Sequence, residues 1–159
     1  METDYSYRVQ GSWEVRRNGL ISAQGVEQPK ITFSSPVEFK GESGHWTPEH
    51  FLVAAIVSCF VVTFSAMAEM SKLKFMSLEV PAEGKLGKID GKLAFLEIVI
   101  NPTLMLFSNE DQDLGHRLLK KAEQGCLIAR SLACPVTMEA VVCSDDRVRL
   151  GAGDLVPAN

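Results

Sequence analysis

The sequence predicts an α+β domain in which helices pack on an antiparallel sheet. Three observations support this fold class: a strand-like segment over residues 5–40, a long apolar helix that begins near Thr47, and a second helix after residue 108. Strand-like segments stand between the two helices and after the second one. At 159 residues the chain is long enough to bury a core, and we expect a single domain over residues 1–159.

The first segment alternates apolar and polar residues in the manner of β-strands. The runs YSYRVQGSWEV, ISAQG and KITFSSPVEF are separated by turn-forming residues at RRNG and around positions 24–29. These runs predict an antiparallel meander of two or three strands.

The first helix has a well-marked start. Thr47 is a plausible N-cap, Pro48 suits the first helical position, and Glu49 lies where the helix dipole favours an anion. The stretch TPEHFLVAAIVSCFVVTFSAM follows, and we expect the helix to continue to about Lys72.

This helix has two structural interpretations. No charge occurs between His50 and Met67, so the apolar stretch approaches the ~20 residues of a membrane span. It lacks basic or aromatic flanking belts, however, and includes small polar side chains, namely Ser58, Cys59, Thr63 and Ser65. Because a helix that is apolar all round can equally be the buried centre of a soluble protein, we favour that interpretation and expect no membrane partner.

The second half of the chain predicts a hairpin, a helix and a strand. Residues 75–106 predict a β-hairpin with Asp90-Gly91 at the turn. The segment SNEDQDLGHRLLKKAEQGCLIARSL opens with a cap and acidic residues and continues with apolar residues at helical spacing. PVTMEAVV predicts a final strand, and the tail from about Ser144 is polar.

Composition excludes several classes of function. The net charge is −4 and no run of Lys or Arg exceeds a pair, which argues against nucleic acid as a partner. The N-terminal stretch lacks the pattern of a secretory signal, so we expect a cytoplasmic protein. In that reducing compartment the four cysteines do not predict a disulfide framework. Their spacing contains no CxxC pair, so we expect no metal site.

Cys59 and Cys126 both fall within predicted helices and could face one interior. Each could simply be a small buried hydrophobe. A reactive cysteine must instead be a thiolate, and because burial raises a thiol pKa, a positive partner is needed. The candidate partners are Arg16, Arg17, His45, His50 and Arg130. A Cys–His couple, with His116 as a further candidate, also stays open, whereas Cys134 and Cys143 look incidental.

Three segments together resemble a known family. TPEHFLVAAIVSCF resembles the NPE-x-L-hAAh-x-x-C helix (h, hydrophobic) of the OsmC/Ohr family, the osmotically inducible and organic hydroperoxide resistance proteins. LLKKAEQGCLIARSL with VTMEAVV resembles the second cysteine helix and last strand of that family. SWEVRRNG is similar to its N-terminal hairpin, whose turn carries an arginine. The resemblance covers roughly residues 8–143.

The resemblance implies an OsmC-like fold, in which antiparallel sheets surround two long central helices of an intertwined homodimer. It also implies a thiol peroxidase that reduces organic hydroperoxides to alcohols. Cys59 would be the peroxidatic thiolate and Cys126 would resolve its sulfenic acid as a disulfide. Arg17 would stabilise the thiolate, and Glu49 would hold that arginine. No cofactor is expected; the reductant would be an external dithiol of the lipoyl type.

Two further expectations concern the geometry of this site. Glu49 and Cys59 are ten residues apart, or ~15 Å along a straight helix, so a shared site would need the glutamate of a second subunit. An apolar wall suited to an alkyl substrate is expected from four side chains: Phe51, Ile56, Phe60 and Phe64.

The sequence also departs from the family pattern. Thr47 replaces the usual asparagine, and Leu127 follows Cys126 where peroxidase members typically have proline. The choice of Arg17 over Arg16 depends on the alignment of a short turn, and a shift of one residue would exchange the two faces of the strand. The alternative function is a non-enzymatic dimer of the same fold that senses redox state or binds a small molecule.

Overall fold

The computed structural model describes residues 4–145 of the chain. These residues form two compact units that divide between Leu52 and Val53, and each unit is described by itself. The predicted polar tail from about Ser144 lies almost entirely outside the described residues.

The first unit contains the predicted meander. Its strands are β1 (Val9–Val15), β2 (Asn18–Ala23) and β3 (Ile31–Ser34), which pair antiparallel in the order β1-β2-β3. Arg16 adopts a positive φ of 51° in the β1–β2 turn, and the Trp13 indole donates to its carbonyl at 3.0 Å. Every residue of β1 is exposed, so this unit leaves a large apolar surface uncovered within one chain.

The first helix, α1 (Pro48–Met70), begins at the predicted residue and ends two residues before the expected Lys72. The Thr47 hydroxyl accepts from the His50 amide at 3.3 Å. In return, the Thr47 amide donates to His50 Nδ1 at 3.2 Å. This reciprocal pair resembles a capping box with histidine in the third position, and it confirms Thr47 as the N-cap.

Only one stripe of α1 is buried. Ile56, Phe60, Phe64 and Ala68, each four residues apart, are the buried residues of the helix. Val62, by contrast, is 64% exposed and Met70 83% exposed. The prediction of a helix buried on all sides is therefore wrong within a single chain. By length and composition α1 is also apolar enough to cross a membrane, a test that core helices pass as well.

The second unit contains two three-stranded sheets. Its strands are β4 (Phe75–Glu79), β5 (Ala82–Ile89), β6 (Lys92–Ile100), β7 (Thr103–Leu106), β8 (Val136–Met138) and β9 (Val141–Ser144). The strand orders are β4-β7-β9 and β5-β6-β8. The predicted hairpin is β5–β6, and its turn residues Asp90 and Gly91 have φ values of 50° and 78°, which a type I′ turn requires.

Two features of these sheets differ from the prediction. The hairpin does not include residues 75–79, because β4 pairs with β7 instead. The predicted last strand is split at Glu139–Ala140, so that β8 pairs parallel with β6 and β9 pairs parallel with β7. Two of the three sheets are therefore mixed rather than antiparallel, since the chain crosses from one sheet to the other at this point.

The second helix is broken at Cys126. The predicted continuous helix is instead α2 (Gln112–Gly125) followed by the short α3 (Leu127–Arg130). Cys126 has extended backbone angles (φ −67°, ψ 103°), which do not continue a helix. At Gly125 an added Cβ would lie 3.3 Å from Met67 Cε and 3.4 Å from Thr63 Cγ2, so α2 approaches α1 closely just before the break.

The core of the second unit joins these elements. Its buried side chains come from α1, the turn that follows it, α2 and strands β6 and β7: Ile56, Phe60, Phe64, Ala68, Leu73, Ile98, Ile100, Leu104, Leu106, Leu118, Leu119 and Ala122. Burial on this scale, at ~25 cal/mol per Å² of apolar surface, holds α1 and α2 in fixed positions. The same packing positions two residues next to this core: Cys59, which directly precedes Phe60, and Cys126, one turn after Ala122.

Candidate active site

Cys59 and Cys126 lie side by side in the second unit. Cys59 is half-buried on α1, next to the core residue Phe60. Cys126 is only 2% exposed, at the break between α2 and α3. The two thiols are close enough for each to shift the pKa of the other, and both are free rather than joined in a disulfide. The structure thus brings together the two predicted redox cysteines, which are 67 positions apart in the sequence.

The surroundings of Cys59 favour its thiolate. Burial raises the pKa of Cys59, but hydrogen bonds to the sulfur outweigh this effect and lower the pKa below that of an ordinary thiol. These bonds come, from the largest effect to the smallest, from the Ile128 amide, the Cys126 thiol, the Leu127 amide and the Thr63 hydroxyl. Donors that bond the charged form of a group stabilise it.

The break at Cys126 explains why two of these donors are backbone amides. The first amides of any helix have no carbonyl partner one turn earlier. Because Cys126 is extended, Leu127 and Ile128 begin a new helix, and their amides donate to the Cys59 sulfur. An unbroken helix would have used those amides in its own hydrogen bonds.

Cys126 has the opposite electrostatic character. Burial raises the pKa of the Cys126 thiol most, and the Ala129 amide lowers it by less. The neighbouring Cys59 raises this pKa further, and the Ile128 amide has the smallest lowering effect. The single proton of this thiol has two alternative acceptors, the Cys59 sulfur and the Ile56 carbonyl, whose oxygen is 4.0 Å from the Cys126 sulfur. The pair therefore consists of an ionisable, accessible thiol beside a buried thiol that stays protonated. Two adjacent thiols of this kind can give up two electrons and form one disulfide.

The two candidate arginines lie in the β1–β2 turn of the first unit, and both are exposed. The Arg17 guanidinium donates to the Phe39 carbonyl. Arg16 forms an ion pair with Glu42 at 3.7 Å. The roles of Arg17 as thiolate partner and of Glu49 as its anchor stay predictions.

Glu49 has an unusual environment for a first-turn carboxylate. Its Oε2 atom is buried and accepts no hydrogen bond within the described part of the chain. Unpaired buried carboxylate oxygens are costly and therefore uncommon. This oxygen is thus available to a donor from outside the described residues.

The predicted apolar substrate wall is not formed. Ile56, Phe60 and Phe64 are 0% exposed because they face the core of the second unit. Phe51, in the first unit, stacks on Trp46 with ring centroids 5.5 Å apart. Ile56, Phe60 and Phe64 therefore cannot line a pocket within this chain. Phe51 instead lines a cavity of the first unit together with strand residues such as Val9 and Ile21, so the four residues do not form one wall.

The other candidates do not join the cysteine pair. The groups that bond to Cys59 include no histidine, while His45 contacts the Ser43 carbonyl and His50 the Thr47 cap. Cys134 and Cys143 are half-buried and free. Among residues 4–145, no group of three or more His, Cys, Asp or Glu side chains could hold a metal ion.

Sequence reasoning missed two contributors to the site. The amides of Leu127 and Ile128 depend on a helix break that helical periodicity does not signal, although the Gly125 that precedes it is a common helix terminator. Thr63 lies one turn after Cys59, at the i,i+4 spacing that places side chains on one helix face. That spacing was visible in the sequence.

Comparison with known proteins places this geometry in context. The family model described as OsmC-like protein matches residues 41–141. The uncharacterized protein YmaD of Bacillus subtilis is 28% identical over 141 residues, which cover 86% of this chain and 92% of YmaD. Peroxiredoxin OsmC of Escherichia coli is 24% identical over 133 residues, covering 82% and 92% of the two chains.

Solved structures share the fold. An OsmC-like protein of unknown function from Vibrio cholerae superposes with a TM-score of 0.78 at 21% identity, covering 87% of this chain and all of the other. An organic hydroperoxide resistance protein from Elizabethkingia anophelis, with thiocyanate bound, gives a TM-score of 0.71 at 19% identity, covering 91% and 100%. The family match spans well over half of the sequence, and the chain belongs to the OsmC-like family.

Proposed function

We propose that the protein is a cytoplasmic, cysteine-based peroxidase that reduces organic hydroperoxides to alcohols. The observation that carries this proposal is the contact between Cys59, whose pKa is lowered, and Cys126, whose pKa is raised. A thiolate attacks peroxides whereas a thiol does not, and a second thiol within reach protects the oxidised sulfur from further oxidation.

The reaction follows from these two sulfurs. The Cys59 thiolate attacks one oxygen of the O–O bond and becomes a sulfenic acid, while the released alkoxide takes a proton from water to give the alcohol. The Cys126 thiol then attacks the Cys59 sulfur, expels water and forms a Cys59–Cys126 disulfide. An external dithiol of the lipoyl type restores both thiols by exchange and is itself oxidised to a disulfide.

A homodimer is part of the proposal. The apolar surface that α1 leaves exposed, including Val62, is suited to a second copy of the same helix. The unpaired Oε2 of Glu49 would accept from Arg17, and that arginine would stand beside the Cys59 thiolate. Since ten helical residues separate Glu49 from Cys59 (~15 Å), we assign the glutamate of each site to the partner subunit.

The preference for organic substrates has two supports. Relatives of this fold include a protein named for organic hydroperoxide resistance. In this chain, Leu127 has an amide that bonds to Cys59 and a side chain that is 63% exposed. An apolar side chain at the mouth of the site favours an alkyl peroxide over hydrogen peroxide.

The test is consumption of cumene hydroperoxide and of hydrogen peroxide with dihydrolipoamide as reductant. Wild type should turn over the organic peroxide much faster than hydrogen peroxide, and Cys59→Ser should show no turnover. Cys126→Ser should turn over more slowly and lose activity during the assay, because its sulfenic acid has no internal resolving thiol and is over-oxidised whenever peroxide reaches it before the dithiol. Cys143→Ser is the matched control and should behave as wild type.

A different outcome would favour the alternative function. If the wild-type thiols oxidise to the disulfide but the dithiol supports no turnover, the protein is a redox sensor or binding protein of the same fold. This alternative is compatible with the similarity to YmaD, a relative that is named as uncharacterized rather than as a peroxidase.

A further inference from the structure

Thr63 stands apart from the other hydroxyl residues in the middle of α1. The Ser58 hydroxyl donates to the Ala55 carbonyl at 3.1 Å and the Ser65 hydroxyl to the Val61 carbonyl at 2.8 Å. Such bonds back to the helix are the usual way in which a helical hydroxyl is satisfied. The Thr63 hydroxyl makes no bond of this kind among residues 4–145. It lies one turn after Cys59 on the same helix, and it acts on the sulfur of Cys59, whose pKa it lowers.

The packing around Thr63 fixes this arrangement. Thr63 follows Cys59 by four residues, so both side chains lie on one face of α1. Its methyl group faces Gly125, where an added Cβ would be 3.4 Å away. Because β-branched side chains have few rotamers, a methyl held against α2 also fixes the direction of the hydroxyl. Gly125 directly precedes Cys126, so Thr63 lies at the junction of the two thiols.

We propose that Thr63 is a further catalytic residue, whose hydroxyl donates a hydrogen bond to the Cys59 sulfur and holds it as an oriented thiolate. This inference rests on the proposed peroxidase function for its role in turnover. It adds a side-chain donor from the same helix to the two amides of α3.

The test is the pH profile of Cys59 alkylation, which does not require peroxidase activity. Short pulses of iodoacetamide across the pH range, followed by mass spectrometry of the Cys59 peptide, give the midpoint of thiolate formation. Thr63→Val keeps the shape and the methyl but removes the hydroxyl, so its midpoint should rise by about one unit, a tenfold lower thiolate fraction below the midpoint. Thr63→Ser keeps the hydroxyl and should remain near wild type.

The matched control is Ser65→Ala, which removes a hydroxyl that is bonded to a carbonyl of the same helix and should leave the midpoint unchanged. Thr63→Ala is a second deletion and should follow Thr63→Val, with circular dichroism confirming that each variant is folded. An unchanged midpoint in both Val and Ala variants, or a Ser variant that shifts with them, would overturn the assignment. Failure of the peroxidase proposal would appear separately, as an absence of wild-type turnover.

Discussion

The two units of the chain differ in how far each one buries its apolar residues and pairs its polar atoms. In the second unit, the free thiols of Cys59 and Cys126 lie side by side at the start of α3, next to a closed core. In the first unit, every residue of β1 is exposed and a buried oxygen of Glu49 is unpaired. The comparison teaches that the second unit assembles the thiol pair by itself, whereas the roles proposed for Arg17 and Glu49 require a second copy of the chain.

The largest expected effect tests the closed core. Phe60→Ala should lower the free energy of unfolding by about 3–5 kcal/mol, because Phe60 is fully buried and its removal leaves a cavity. Chemical denaturation measures the loss. Glu69→Ala, on the same helix but at an exposed, charged position, is the control and should change stability by about 0.5 kcal/mol or less. Equal losses at the two positions would contradict the division of α1 into a buried stripe and an exposed remainder.

The next effect concerns the first unit. Arg17→Met should raise the midpoint of Cys59 alkylation by about one to two units, because it removes a cation that the proposed dimer sets near the thiolate. Arg16→Met is the control, since Arg16 pairs with Glu42 at the surface. If Arg16→Met gives the larger shift, the assignment moves by one residue along the turn. If neither variant shifts the midpoint, the amides of α3 are sufficient and the comparison between the units fails.

A third prediction concerns the thiol pair and its dependence on pH. Cys59 reacts as the thiolate, so its alkylation rate should fall as the pH is lowered through its depressed pKa. Cys126→Ala should move that midpoint up by about one unit, because it removes a donor to the sulfur. Cys126→Ser retains a donor and should shift it less. An Ala variant that shifts no more than the Ser variant would show that Cys126 does not help to ionise Cys59.

The smallest effect concerns the start of α1. Thr47→Ala should cost about 1 kcal/mol of stability, because the helix loses the hydroxyl that accepts from the His50 amide. Thermal unfolding followed by circular dichroism measures this loss. Ser71→Ala, just beyond the end of α1 and exposed, should leave stability unchanged. A neutral Thr47→Ala would mean that the His50 side chain alone caps the helix.

Elements that depend on local chemistry were predictable from the sequence. Thr47 and Pro48 marked the start of α1, Asp90-Gly91 marked the β5–β6 turn, and alternation in the first forty residues marked the meander. Each of these signals acts within a few residues. The proximity of Cys59 and Cys126 was predictable only through the family resemblance, because no local pattern links two residues so far apart.

Features that depend on tertiary packing were not predictable. Helical spacing continues through Cys126, so nothing periodic indicated the break that frees the Leu127 and Ile128 amides. The apolar residues around Cys59 were assigned to a substrate wall, because composition alone does not say which stripe of a uniformly apolar helix faces the core. The parallel pairing of β8 with β6 and of β9 with β7 likewise depends on a chain crossing at Glu139–Ala140. The sequence pattern around this crossing is that of one continuous strand.

The short helix α3 should also differ in stability between the reduced and the oxidised protein. Its first amides lower the pKa of Cys59, because they stabilise a negative charge that exists only while Cys59 is a thiolate. Once the sulfur joins a disulfide, that charge is gone and the amides at residues 127 and 128 lose their anionic acceptor. We therefore expect these amides to exchange hydrogen with solvent faster in the oxidised protein. The loosened turn would then distinguish the oxidised protein from the reduced one at the place where a reducing thiol approaches the disulfide.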